Sequence, residues 1–378
     1  MRIRWIDGLK GIASLMIVLH HFILAFMPAL YYGSTIQSNI FKSEGALADS
    51  PFMFVIGGHF LVSLFLMLSG LVLSLQVYRT NTIKELLVNI LKRYIRLAIP
   101  VFIVSVIVYG MLRYGLFSNN ALAEVTGSPW LSLYYQAPLS LKSVFETSFY
   151  TVWFIGNDSF STAFWMLTHL FFGSLMTYFI VFIVRKFEKN LQLFIIFVII
   201  VTSIYFKSYM VNFGFGILLA WFIKHSPQTS NKKMLSIALL VIGLIFAGFP
   251  QGVLPTNFYR FFILSEFNSS FSILIHSIGA FLIVFGILLF NPRTSLFDDK
   301  LSQYLGKISY SIYLVHIPIL FSISSFLFLK LKPYGLIYPL NMLVTLLITL
   351  IVLIIVSDIF NRAVISNIDR QLKKLFNH

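Results

Sequence analysis

PLNMLVTLLITLIVLIIV, residues 339–356, holds one amide, two threonines and no charge over eighteen positions. A run of that length and composition spans a bilayer as a helix. LQLFIIFVIIVTSIYF, residues 191–206, comes close to the same length. Outward from these two stretches the pattern repeats. The chain has 378 residues, 58% hydrophobic and 11% charged, where a soluble domain carries roughly a quarter charged. Its mean hydropathy is +0.88. No single water-facing core could hide that much apolar surface. The composition defines an all-α, polytopic membrane helix bundle.

Apolar segments predict helices near 6–27, 59–78, 94–117, 161–184, 191–206, 211–224, 234–249, 271–290, 310–329 and 339–360. The fifth, sixth and seventh are short. Arg2 and Arg4 ahead of the first segment resemble the start of a signal peptide. The segment is too long for one, contains Asp7 and Lys10, and lacks a small-residue cleavage site, so it is read as a retained first helix. There are no cysteines, which excludes disulfides, thiolate catalysis and Cys-ligated zinc. No internal repeat and no linker divides the chain, so residues 1–378 are expected to form one domain.

The net charge of +15 could suggest nucleic acid, but its placement points elsewhere. With about ten helices and a cytoplasmic N-terminus, 21 of the 28 basic residues fall on the inner side. Lys42, Arg113, Lys142, Lys207, Arg260, Lys330 and Lys332 remain outside. The 13 acidic residues split evenly, as the positive-inside rule allows. The expected localisation is a multi-pass plasma-membrane protein with both termini cytoplasmic. The lipid bilayer is its partner and nucleic acid is not. The two longest loops, near 28–58 and 118–160, then lie outside.

Four constellations carry polar chemistry. The first helix starts Asp7-Gly8-Leu9-Lys10-Gly11 and reaches His20-His21. Lys10 and His21 are eleven residues apart, which at 100° per residue puts both on one face, about 16 Å apart along the axis. Ionisable groups at such depth tend to face a cavity or the bundle interior. Snorkelling of Lys10 to the headgroups and a hydrogen bond from His21 to a neighbouring helix fit the same spacing. In Arg93-Tyr94-Ile95-Arg96, ahead of Pro100, the i, i+3 spacing places two guanidiniums on one side. Paired forks of donors suit phosphates, and a positive-inside flank fits equally. Phe65-Leu66-Met67-Leu68-Ser69-Gly70 holds a small pair that permits close helix approach. Gly306 to Pro318 (GKISYSIYLVHIP) puts Tyr313 and His316 on one face; a hydrogen-bonded core histidine is the plainer alternative.

Together, in this order and spacing, the four resemble the acyltransferase-3 family of integral membrane acyltransferases. DGLKGIASLMIVLHH matches the family's first-helix pattern at Asp7, Lys10 and His21. Phe65–Gly70, Arg93/Arg96 and Ser309–Pro318 match its F-x-x-L-S-G, R-x-x-R and S-Y-x-x-Y-L-x-H-x-P stretches. The likeness spans nearly the whole chain. Two positions depart from it: Leu170 stands where members often carry a glutamate, beside His169, and Ser63 where many carry an aspartate.

The resemblance implies an O-acyltransferase that moves an acyl group, acetyl first of all, from cytosolic acyl-CoA to a hydroxyl of an envelope or secreted glycan. Acyl-CoA (acetyl-CoA) is then a donor substrate, with no permanently bound cofactor and no metal. Lys10, Arg93 and Arg96 would receive the phosphates of CoA. His21 would act as general base or as nucleophile. Asp7 would orient the site or pair with a cation, and Tyr310, Tyr313 or His316 would donate to the oxyanion. No esterase-like extracytoplasmic domain is expected, so transfer is direct or goes through a separate extracytoplasmic transferase. Of the outer-loop aromatics Trp130, Tyr134, Tyr135, Tyr150 and Trp153, the commoner role is an interfacial belt, with stacking on sugars as the alternative. His59, His169 and His276 lack a spaced partner in sequence and are expected to be structural. A transporter or flippase, or a non-catalytic subunit handling a polysaccharide intermediate, is the competing class.

Overall fold

The computed structural model describes residues 3–136, 138–225, 232–256, 258–262, 269–290 and 297–376. Arg2 and Arg293, two of the basic residues counted on the inner side, lie outside these. Among the described residues all regular structure is helical. The main helices are α1 (Arg4–Phe26), α2 (Gly58–Val77), α3 (Ile83–Arg113), α4 (Trp165–Val184), α5 (Lys189–Tyr205), α6 (Met210–His225), α7 (Lys233–Ala247), α8 (Ser269–Leu289), α9 (Lys300–Ile319), α10 (Tyr338–Phe360) and α11 (Ser366–Phe376). Seven helical stretches are long and apolar enough to cross a membrane, and α5, α6 and α7 are shorter apolar helices. These ten fall on the ten segments expected from hydropathy, with the three short ones where they were predicted.

Helix α10 shows why the chain belongs in a bilayer. Its buried face carries Asn341, Thr345, Thr349, Leu353 and Ser357 at four-residue steps. Its exposed face carries Leu343, Leu347, Ile351, Ile355 and Ile359. Polar inside and apolar outside is the reverse of a water-soluble helix, and it is stable only against lipid.

Three helices run further than hydropathy indicated. Helix α3 begins at Ile83 and not near 94, α9 begins at Lys300 and not near 310, and α10 is continued by α11 to Phe376. The extensions IKELLVNILKR, KLSQYLGK and SNIDRQLKKLF are amphipathic. They alternate charge with apolar residues at helical spacing, so an apolar-run criterion passes over them. Pro100 sits inside α3 and Pro318 near the end of α9. A π-turn, Leu320–Ser324, follows Pro318. The hydroxyls of Ser322 and Ser325 donate to the carbonyls of Pro318 and Leu320 there, at 2.6 and 2.8 Å. Such side-chain bonds make a broken ladder tolerable away from water.

The chain divides into two compact units whose pieces interleave: residues 1–13, 49–91 and 169–307, and residues 14–48, 92–168 and 308–378. In the first unit α2 packs tightly on α6. A Cβ added to Gly216 would come within 2.5 Å of the Met67 carbonyl oxygen and 2.7 Å of the Leu71 nitrogen, so the Phe65–Gly70 motif is a close-approach surface. Leu73, Val77, Tyr178, Val181, Ile196, Ile200 and Ile217 form the core beneath it. Also in this unit, a Cβ on Gly11 or on Gly306 would run into the backbone of the opposite helix, at Gly306 and Asp7 respectively. The starts of α1 and α9 therefore lie backbone to backbone.

The second unit contains α1 from Ser14, α3 from Lys92 and α9 from Ile308, together with α10, α11 and the loops 27–48 and 114–164. Ser324 and Thr349 hydroxyls bond at 2.7 Å between the α9 extension and α10. Glu44 is fully buried and its carboxylate accepts backbone N–H groups from Asn39, Ile40 and Phe41. The Asn39 amide in turn donates to the carbonyls of Phe26 and Thr126, at 3.2 and 2.8 Å. That knot ties the loop 27–48 to the end of α1 and to the loop 114–164.

Candidate active site

Within the second unit the two histidines singled out at opposite ends of the sequence meet. His316 Nε2 lies 3.2 Å from His21 Nδ1. His316 Nδ1 is 2.7 Å from the Tyr313 carbonyl oxygen, and His21 Nδ1 is 3.0 Å from the Ile17 carbonyl oxygen. A carbonyl oxygen has no proton to give, so each Nδ1 carries the hydrogen. His316 Nε2 is then a bare acceptor, and the Nδ1–H of His21 is shared between it and Ile17. This leaves His21 Nε2 with a free lone pair and no hydrogen-bond partner among the described residues. His316 is buried, while His21 is half-buried. The Ile17 carbonyl and His316 Nε2 thus share the Nδ1 side of the His21 ring.

Aromatic rings surround the pair. Trp130 stacks on His21 with ring centroids 5.3 Å apart and 30° between planes. Its other neighbour is Phe321, edge-on at 5.1 Å. His20 presents its ring to Tyr31 at 5.8 Å and edge-on to His21 at 4.9 Å. Tyr134 and Tyr135 approach Phe321 at 6.2 and 5.7 Å. The Tyr134 hydroxyl donates to Asp158 at 2.9 Å. Burial pushes the Asp158 carboxyl above the usual carboxylate range, although the bond from Tyr134 opposes this.

A second line of residues runs along α9. Tyr310, Tyr313 and His316 are spaced i, i+3, i+6 and cover about 9 Å of helix axis. The Tyr310 and Tyr313 rings lie near-parallel at 6.4 Å, and Tyr313 and His316 are 6.1 Å apart. The Tyr313 hydroxyl donates to the Ala163 carbonyl, and that of Tyr310 to the Leu97 carbonyl at 3.0 Å. Each phenol thus spends its one proton on backbone, and neither points it at the histidines. Arg93 and Arg96 both lie close enough to Tyr310 to act on it electrostatically. Arg96 pairs with Asp369 of α11 at 3.0 Å, and Lys92 lies 5.5 Å from the Phe376 ring.

Of the residues predicted from sequence, His21, His316 and Tyr313 come together, and Arg93 and Arg96 lie within electrostatic range of Tyr310. Asp7 and Lys10, in the first turns of α1, belong to the first unit. Trp130 and Trp153 are not belt residues. Trp130 is 8% exposed, and Trp153 is fully buried with Nε1 donating to the Ser148 carbonyl at 2.7 Å. A belt tryptophan would sit on the lipid-facing surface. The contact of Trp130 with His21 had no signal in the sequence, because a loop tryptophan has no periodicity to place it. In the first unit His59 and His276 have ring centroids 6.3 Å apart, and His169 packs on Tyr209 at 4.9 Å. These histidines do have partners, from helices far apart in sequence.

The fold is that of an all-helical integral membrane protein. Residues 3–362 match the acyltransferase domain of the acyltransferase-3 family, and the chain belongs to that family. No curated protein and no solved structure matched the chain.

Proposed function

We propose that this acyltransferase moves an acyl group, acetyl first of all, from acyl-CoA on the cytoplasmic side of the plasma membrane to a hydroxyl of an envelope or secreted glycan. The observation that carries the reading is the His316–His21 contact. It leaves one lone pair, on His21 Nε2, beside an aromatic wall formed from an outer loop. Arg93 and Arg96 would hold phosphates of the donor, and the Tyr310–Tyr313–His316 line of α9 leads from them toward His21.

In the step that follows, His21 Nε2 takes the proton of the acceptor hydroxyl. The hydroxyl oxygen attacks the thioester carbonyl carbon, and the carbonyl π electrons move to oxygen. When the tetrahedral intermediate collapses, the C–S bond breaks and the His21 imidazolium returns its proton to the departing thiolate. The products are the ester and free CoA thiol. Throughout, the Nδ1–H of His21 stays bonded to His316 Nε2 and the Ile17 carbonyl. Both are acceptors, so the ring keeps one orientation through the step. The nucleophilic alternative, an acyl-imidazole at Nε2, uses the same lone pair and the same orientation.

Incubation of the purified protein with radiolabelled acetyl-CoA tests the proposal. Slow thioester hydrolysis, or label transfer to an added hydroxyl acceptor, is the expected result. A protein that binds acetyl-CoA and turns it over in neither way would be a transporter or an assembly subunit.

A further inference from the structure

The inner end of α2 carries a cluster that acyl transfer does not use. Two cations from different helices converge on the adjacent residues Val77 and Tyr78. Arg185, just past the end of α4, donates from Nη1 to the Val77 carbonyl at 2.8 Å. Its guanidinium lies 4.5 Å from the Phe182 ring centroid. Lys224, in the last turn of α6, holds its ammonium 3.9 Å from the Tyr78 ring centroid. A third cation, Lys186, stands 5.7 Å from the Phe182 ring. Arg185 and Lys224 are near enough to repel one another. Among the described residues neither forms an ion pair with a carboxylate.

The C-terminal end of a helix attracts positive charge, and a carbonyl plus a ring face can hold one cation there. That explains Arg185 alone. It does not explain a second cation held in repulsive range with no carboxylate between them. One shared anion would turn the repulsion into attraction. The guanidinium offers five N–H donors, and the Val77 carbonyl takes one. A phosphate matches what remains, with two oxygens for the planar fork and a further one for the ammonium point charge. The distribution of lysine and arginine predicts that the ends of α2, α4 and α6 face the cytoplasm. The headgroups of that leaflet are anionic.

We propose that Arg185 and Lys224 form a phosphate-binding site at the inner end of α2, filled by the headgroup phosphate of an anionic lipid or by free phosphate. The site is independent of the acyl-transfer assignment, since none of its residues belongs to the histidine pair or to the Arg93/Arg96 group.

The full-length protein, reconstituted in phosphatidylcholine vesicles, provides the test. Phosphatidic acid is added in one arm and inorganic phosphate in the other. Thermal unfolding and, for the lipid arm, native mass spectrometry of retained lipid are read out. The wild type is expected to melt higher with phosphatidic acid and to retain it. Lys224→Gln, a change at an exposed side chain, should weaken retention at least tenfold and remove most of the shift, and Arg185→Gln should do the same. Lys330→Gln, on the opposite side of the membrane by the same charge rule, is the control and should change neither. A shift with inorganic phosphate that Lys224→Gln removes would identify free phosphate as the source. No shift in either arm for the wild type, or a full shift in Lys224→Gln, overturns the site.

Discussion

His316 Nε2 stands 3.2 Å from His21 Nδ1, although the two residues are 295 positions apart in the chain. The contact makes their contributions separable. His21→Ala should abolish measurable acylation, since removing an acid–base group costs typically 10²–10⁴ in rate. His316→Ala should remove one of the two acceptors on the His21 Nδ1–H, keeping the bond to Ile17, and lower turnover with little change in acyl-CoA KM. It should also move the pH–rate profile, which a packing defect alone would not. His20→Ala, with its ring turned to Tyr31, should keep substantial turnover. Rates per folded protein in the membrane decide; near-normal turnover in His21→Ala would remove that residue from the chemistry.

The backbone contact between Gly11 and Gly306 predicts a structural cost. A methyl group at either position has no room, so Gly11→Ala or Gly306→Ala must push the starts of α1 and α9 apart. Overpacking of this kind costs typically 1–3 kcal/mol. Thermal unfolding in detergent should show the loss for both variants. Gly110→Ala, at a position where a Cβ meets nothing within 4 Å, should melt like the wild type or slightly above it.

Arg96 is paired with Asp369, and both side chains are substantially exposed, at 51% and 36%. If Arg96 holds a donor phosphate, Asp369 competes for it. Arg93→Ala and Arg96→Ala should each weaken acyl-CoA binding by about 1.5–3 kcal/mol. Asp369→Asn should strengthen it, by no more than about 1 kcal/mol, because an exposed ion pair is worth little in water. Calorimetric titration with acyl-CoA measures all three. Unchanged affinity in the arginine variants would make the pair a topological anchor only.

Asp158 gives a pH dependence whose sign is fixed. Burial raises its carboxyl in the folded state, so the ionised form is favoured less there than in the unfolded chain. The resulting loss of stability is absent below the ordinary carboxylate value, about pH 4. It grows as pH rises toward the folded-state value and is constant above it. Asp158→Asn removes the titration and leaves an acceptor for Tyr134. Relative to this variant, the wild type should melt progressively lower as pH rises through that window. A difference that is flat, or that runs the other way, refutes the assignment.

The orientation rests on the 21-to-7 split of basic residues. Reporter fusions after Lys189 and after His378 should read cytoplasmic, and a fusion at Asn120 should read external. A cytoplasmic signal at Asn120 would overturn the orientation and, with it, the placement of the Arg185–Lys224 cluster.

Residues 339–356 and the nine other apolar segments were enough to establish a helical membrane protein, because in lipid a single chain segment must satisfy its own backbone as a helix. The motif spacings were likewise enough to point to the acyltransferase family, and the first-helix and ninth-helix histidines could be picked out as ionisable groups at depths where they are expensive. Local sequence stops there. That His21 meets His316, that Trp130 from a loop covers the pair, and that Tyr313 gives its proton to Ala163 depend on which helix faces lie against one another. Periodicity shows that a face exists without showing its neighbour. Each histidine finds a carbonyl oxygen within its own helix, but the second imidazole that shares the His21 Nδ1–H comes within hydrogen-bonding distance only in the packed bundle.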